Sequence, residues 1–172
     1  LTENSFRDVN IAFANELSII CDKLGIDVWE LIRLANRHPR VNILQPGPGV
    51  GGHCIAVDPW FIVSKTPEEA RLIRIAREVN DAKPHWVLEK IRAAALDQRN
   101  PVIACLGLSF KPNIDDLRES PALEITREVC AMGLGEVLAV EPFVDELPAA
   151  LAGFDNVSLV SAEEALSRAP IA

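Results

Sequence analysis

The run Val102-Ile103-Ala104-Cys105-Leu106-Gly107-Leu108 holds no charged side chain and no side chain more polar than one thiol. A strand with one face in water alternates apolar and polar residues. A strand that is apolar throughout is covered on both faces, which places it in a parallel sheet with helices above and below. The residues that follow agree with that placement. A polar turn spans Lys111 to Glu119, Ser120-Pro121 opens a helix to about Met132, and Glu136 to Val140 reads as the next strand. Val157 to Val160 is a third strand, and Ser161 with Glu164 caps a last helix. This order predicts an incomplete doubly wound, Rossmann-like parallel sheet over 98–172, with three strands where such sheets carry about five or six.

Residues 1–97 have a different period. Phe6, Val9, Phe13, Leu17, Ile20 and Leu24 recur every three or four residues, predicting an amphipathic helix from about 3 to 24 that Gly25 stops. Asp27 with Glu30 is a capping box for a second helix, Val28 to Arg37, ended by Pro39. Thr66-Pro67-Glu68-Glu69 reads as the start of a long helix to about Leu96, kinked at Pro84. Its apolar residues spread over wider faces than a half-domain of this size needs. The fold class is therefore α plus α/β: an all-helical dimerisation domain, then the sheet domain, with a homodimer through the long helix at about 67–96.

Between the helices lies Gln45-Pro46-Gly47-Pro48-Gly49-Val50-Gly51-Gly52-His53-Cys54-Ile55-Ala56-Val57-Asp58-Pro59, where positions 47 to 52 hold four of the chain's nine glycines. Such a ribbon suits backbone that takes positive φ or lets a ligand approach closely. A thiol at its end can be exposed and ringed by backbone N–H groups, the setting a nucleophilic cysteine requires. Other readings compete: Cys54 as a small buried hydrophobe, the loop as a connector, or His53 with Cys54 as metal ligands. The metal reading is weak, because adjacent residues chelate poorly and no second pair stands at zinc spacing. The buried reading fits Cys21, Cys105 and Cys130 better, each of which falls in an apolar helix or strand pattern. A Cys/His hydrolase would have only His38, His53 and His85 to draw on, and none is well placed beside Cys54.

With 172 residues, 49% of them hydrophobic, the chain can bury a sizeable core. A formal charge of −8 argues against a nucleic-acid-binding surface. Locally, Arg33, Arg37, His38 and Arg40 form a basic cluster that fits either a phosphorylated ligand or a solvated helix end. Unpaired cysteines and the lack of a long apolar segment predict a cytoplasmic protein with free thiols and no membrane contact. The abrupt opening at Leu1 predicts a piece of a longer protein.

Three motifs in order, Asn4 with Asn15-Glu16, Pro46 to Pro59, and Phe110-Lys111-Pro112-Asn113-Ile114-Asp115-Asp116-Leu117-Arg118-Glu119-Ser120-Pro121, resemble the UDP-glucose/GDP-mannose dehydrogenase family. In the first half, Leu1 to Asn10 and Asn36 to Asn42 resemble most the branch that oxidises UDP-N-acetyl-D-mannosamine. The resemblance implies a four-electron oxidation of a nucleotide sugar's C6 alcohol to a carboxylate with two NAD⁺ reduced, in the service of polysaccharide biosynthesis. Other UDP- or GDP-sugars (UDP-glucose, GDP-mannose, UDP-GlcNAc) remain alternatives, as does a non-catalytic dimerisation module. By the same resemblance Cys54 is the nucleophile that forms a thiohemiacetal and then a thioester, while Asp58 and Asn4 manage the hydrolytic water. Lys111 stands near the substrate, and Arg118 reaches the cofactor. The backbone at Gly47, Gly49, Gly51 and Gly52 holds the sugar nucleotide, with Arg40 placed by its neighbourhood as a phosphate or sugar contact.

The family's N-terminal NAD-binding domain opens on a G-x-G-x-x-G fingerprint that nothing here resembles. A family lysine four residues before Asn4 would fall just ahead of Leu1. These residues alone are therefore expected to be inactive.

Overall fold

The computed structural model describes residues 1–111 and 113–172; Pro112, part of the third motif, lies outside the described residues. The chain divides into two compact units, Leu1–Lys83 and Pro84–Ala172, with the boundary inside a helix.

The first unit is helical among the described residues: α1 (Thr2–Leu24), α2 (Val28–Ala35), α3 (Asp58–Lys65) and the first half of α4 (Arg71–Leu96). Helix α1 ends at Gly25 as expected, but the face it buries is not its apolar stripe. Phe6 and Phe13 are 69% and 53% exposed, and Ile20 and Leu24 are also exposed. The buried face is Ser5, Asp8, Ala12, Asn15, Ser18 and Cys21, made of small and polar side chains. It meets the buried polar residues of α4. Arg77 Nη1 donates to Asp8 Oδ1 at 2.5 Å, Asn15 Nδ2 to Asn80 Oδ1 at 2.9 Å, and Lys83 Nζ to Ser18 Oγ at 2.5 Å. Small residues let two helices approach closely, and paired hydrogen bonds offset the cost of burying polar groups.

Two local expectations change for identifiable reasons. Helix α2 stops at Ala35, two residues early; Asn36 caps it with backbone still right-handed, and its side chain brackets Ile43, accepting from its N–H at 2.7 Å and donating to its carbonyl at 2.9 Å. The long helix starts at Arg71 rather than Thr66. The Thr66 hydroxyl donates backward to Ile62 O at 2.9 Å, finishing α3 instead of capping a new helix. Helix α3 itself has no counterpart in the sequence reading.

The second unit holds β1 (Val102–Leu106), α5 (Pro121–Met132), β2 (Glu136–Val140), β3 (Val157–Leu159) and α6 (Ala162–Arg168). The strands lie in the order β1-β2-β3 and are parallel, Val102 opposite Glu136 and Val137 opposite Val157. Alternate residues serve two cores. Ile103, Val137 and Ala139 join Ile125 and Val129 of α5 and Ala95 of α4, whereas Ala104, Leu138 and Val140 join Ala165 of α6. The apolar run predicts a strand covered on both faces; Ile103 and Ala104 of β1 meet that, while Leu106 at its end is 50% exposed.

Ile171 bridges Ile103 in parallel, its carbonyl accepting from Ala104 N–H at 2.8 Å. The chain thus returns to the free side of β1, and the order reverses there. In open parallel sheets that reversal marks where ligands bind, beyond the carboxyl ends of the strands.

Candidate active site

The glycine ribbon ends in a run of turns over His53–Val57 that feeds α3. The Cys54 carbonyl accepts from Asp58 N–H at 2.9 Å, so residues 54 and 58 stand one helical turn apart at the N-terminus of α3. Asp58 is half-buried, and Asn4 Nδ2 donates to its Oδ2 at 2.6 Å across 54 residues of chain. The structure therefore joins Asn4 to Asp58 and sets Cys54 in the turn that leads to them. Cys54 is exposed, Cys21 and Cys130 are buried, and Cys105 is half-buried. Burial, with the Cys105 thiol beside it, pushes Cys130 up to about 11, and burial also raises Cys105, so both shifts run away from the thiolate.

Of the four loop glycines only Gly52 takes positive φ, at 82°. A Cβ on Gly47 would meet nothing closer than the Gly49 carbonyl at 3.8 Å, an ordinary contact. What distinguishes Gly47 is its N–H, which donates to Asn15 Oδ1 at 2.9 Å. Arg40 is exposed in the segment that Asn36 brackets, its N–H donating to His38 Nδ1 at 3.3 Å. Among the described residues no three His, Cys, Asp or Glu side chains cluster to hold a metal ion.

The second unit forms its own cleft at the strand ends, lined by Gly107, Ser109, Lys111, Asn113, Glu141 and Phe143. Lys111 is exposed there, its Nζ 5.5 Å from the centre of the Phe110 ring. Arg118 is exposed and paired with Asp116, Nε to Oδ1 at 2.9 Å and Nη2 to Oδ2 at 2.7 Å.

Glu141, 7% exposed, is a site residue that the sequence reading missed. Its Oε2 accepts from Leu108 N–H at 2.9 Å and Ser109 N–H at 3.0 Å, and lies 3.0 Å from Ser109 Oγ. Burial alone would raise its carboxyl, but these donors and Phe143 N–H outweigh burial and hold it below the usual glutamate range. A carboxylate directly after the apolar run Val137-Leu138-Ala139-Val140 was the available signal.

Residues 1–82 match the central-domain model of the UDP-glucose/GDP-mannose dehydrogenase family, and residues 104–172 match that family's UDP binding domain. The chain belongs to the UDP-glucose/GDP-mannose dehydrogenase family. It is 71% identical over 171 residues to the NDP-N-acetyl-D-galactosaminuronic acid dehydrogenase of Ralstonia solanacearum, covering 99% of this chain and 40% of that protein. It is 65% identical over 170 residues to the UDP-N-acetyl-D-mannosamine dehydrogenase of Salmonella typhi, covering 94% and 40% respectively. Among solved structures, a UDP-N-acetyl-mannosamine dehydrogenase from S. aureus is 47% identical with a TM-score of 0.78, covering 92% of this chain and 36% of that one. The chain spans about 40% of the length of the curated dehydrogenases it matches.

Proposed function

We propose that this chain is the central and partial nucleotide-sugar-binding region (1–97 and 98–172) of a cytoplasmic, NAD-dependent dehydrogenase that oxidises C6 of a UDP-N-acetylhexosamine to the uronic acid. UDP-N-acetyl-D-mannosamine is the leading substrate. The observation that carries the reading is the Asn4–Asp58 hydrogen bond at 2.6 Å, one helical turn from the exposed Cys54. The two relatives quoted above bear names of acetamido-sugar dehydrogenases, which supports an acetamido substrate over UDP-glucose or GDP-mannose.

In this reading the Cys54 thiolate adds to the C6 aldehyde carbon, and the carbonyl oxygen takes up a proton to give a thiohemiacetal. Once C6 has been oxidised again to the thioester, water adds to it. Asp58, oriented by Asn4, accepts that water's proton, and the C–S bond breaks to return the thiolate and release the carboxylate. Covalent capture keeps the aldehyde from escaping and holds C6 in place for the second oxidation. In the first unit Gly47, Gly49, Gly51 and Gly52 offer backbone to the sugar nucleotide and Arg40 is a phosphate or sugar contact; in the second unit Lys111 is the substrate contact.

The turn after β1 does not by itself fit a dinucleotide. In a nucleotide-binding sheet the first turn after β1 presents free backbone N–H groups to a pyrophosphate. Here the N–H groups of Leu108 and Ser109 already bond Glu141, so that turn does not offer them to a dinucleotide, and the phosphates of a nucleotide sugar would be met by cleft side chains such as Lys111. Arg118 is the cofactor contact we propose, after release from Asp116. The homodimer through α4 is likewise proposed, and the exposed Leu72 and Ile75 on that helix support it.

The test is to incubate the intact protein with NAD⁺ and UDP-N-acetyl-D-mannosamine, UDP-GlcNAc, UDP-glucose or GDP-mannose in turn. Turnover of an acetamido sugar is expected. A dimerisation module would turn over none of them.

A further inference from the structure

We propose that Asn15 is a positioning residue that sets where the Cys54 loop leaves the helical unit, with Asn80 as the group that orients it. The inference rests on reading Cys54 as the nucleophile.

Asn15 is fully buried, 0% exposed, and its two amide ends are committed to different partners. Its Nδ2 donates to Asn80 Oδ1 and its Oδ1 accepts from Gly47 N–H, both at 2.9 Å. An amide can flip end for end with little change in shape, so something must decide which end faces Gly47. Asn80 decides it. Its Nδ2 donates to Asp8 Oδ1 at 2.8 Å and to Asp8 O at 3.0 Å, which leaves Oδ1 to face Asn15. A flipped Asn80 would set its oxygen against two acceptors, and a flipped Asn15 would set its NH₂ against the Gly47 N–H. Asp8 is held in turn by Arg77 Nη1 at 2.5 Å. The polarity of a buried ion pair is thus passed through two amides to one backbone N–H at the start of the loop.

Helix α1 also carries Asn4, whose bond to Asp58 fixes the far end of the same segment. Asn4 and Asn15 are three helical turns apart on one face, a separation of about 16 Å. The segment from Gly47 to Asp58 therefore spans two fixed points on one rigid helix, and Cys54 lies between them. Four of the first six residues of that segment are glycines, which have no side chains to pack, so its anchors carry the placement.

The experiment uses the intact protein with NAD⁺, UDP-N-acetyl-D-mannosamine and hydroxylamine, which captures any C6 aldehyde the thiol fails to hold. In Asn15→Ala, kcat is expected to fall about ten- to a hundredfold. NADH per sugar should drop from two toward one, with the C6 oxime accumulating. A role in folding alone would lower active-enzyme content without changing that ratio. If Asn15→Ala does not retain the native melting temperature, Asn80→Ala is read in its place, since it leaves the Gly47 bond unoriented. A ratio of two, with no oxime, in whichever variant keeps the native melting temperature overturns the positioning role. Cys54→Ala separates the two readings. If that variant still makes two NADH per sugar, the nucleophile reading has failed. If Cys54 is essential while the Asn15 and Asn80 variants behave as native, only the positioning role has failed.

Discussion

Asn4 donates to Asp58 at 2.6 Å, joining the first turn of α1 to the first residue of α3. The carboxylate is therefore held in one orientation beside the turn that carries Cys54.

Asp58→Asn keeps an oxygen for Asn4 to donate to but removes the proposed base. The variant is expected to fold normally and to lose about 10²–10⁴-fold in kcat, the usual contribution of a positioned acid or base. Steady-state NADH formation by the intact protein measures this, and a loss under threefold would remove Asp58 from the chemistry.

Arg77 is 2% exposed and neutralises Asp8, which is 0% exposed. Arg77→Met would leave that carboxylate buried without its cation, at a cost of about 3–5 kcal/mol. The double variant Asp8→Leu/Arg77→Met should recover most of the loss. Denaturant midpoints of the three proteins test this, and equal midpoints for single and double variants would contradict it.

Glu141 has a folded pKa below its free value of about 4.3. Its stabilisation is present above that value and is lost as pH falls through the folded pKa. Glu141→Gln should thus lower stability by about 1–2 kcal/mol at pH 7, with the gap to the native protein narrowing as pH falls below the free value and through the folded pKa. A gap that is constant across that range would show that the carboxylate's charge is not what stabilises the turn after β1.

Gly135 precedes β2, and a Cβ built there would lie 2.0 Å from the Pro101 carbonyl oxygen. Backbone cannot yield as a flexible side chain does. Gly135→Ala is expected to cost about 1–3 kcal/mol, read as a lower melting temperature.

The sheet was legible because its evidence is local: a run apolar throughout, an N-cap serine before a proline, a glycine at a helix end. β2 and α5 fall where those signals put them. The face that α1 buries was not legible, since periodicity locates an apolar stripe but not what covers it. Within this chain, α4 offers Arg77, Asn80 and Lys83, so the polar side of α1 turns inward. Helix α3 was hidden because its first residues, Asp58-Pro59, close the glycine-loop motif and its apolar residues follow no clear period. Cys54 and Asp58 are named by the ribbon and the motif. Asn15 stands in the first motif and Glu141 just after β2, but the bonds they accept from the Gly47, Leu108 and Ser109 N–H groups are distant in sequence and leave no spacing to read. Ile171 lies beside β1 for a similar reason: a single bridge leaves no pattern in the chain.

The central claim is that the Cys54 sulfur carries C6 between two oxidations. The direct measurement is the number of NADH formed per nucleotide sugar consumed by intact native protein and by its Cys54→Ala variant. The expected result is two for the native protein and no carboxylate from the variant. Two NADH and a carboxylate from Cys54→Ala would contradict it.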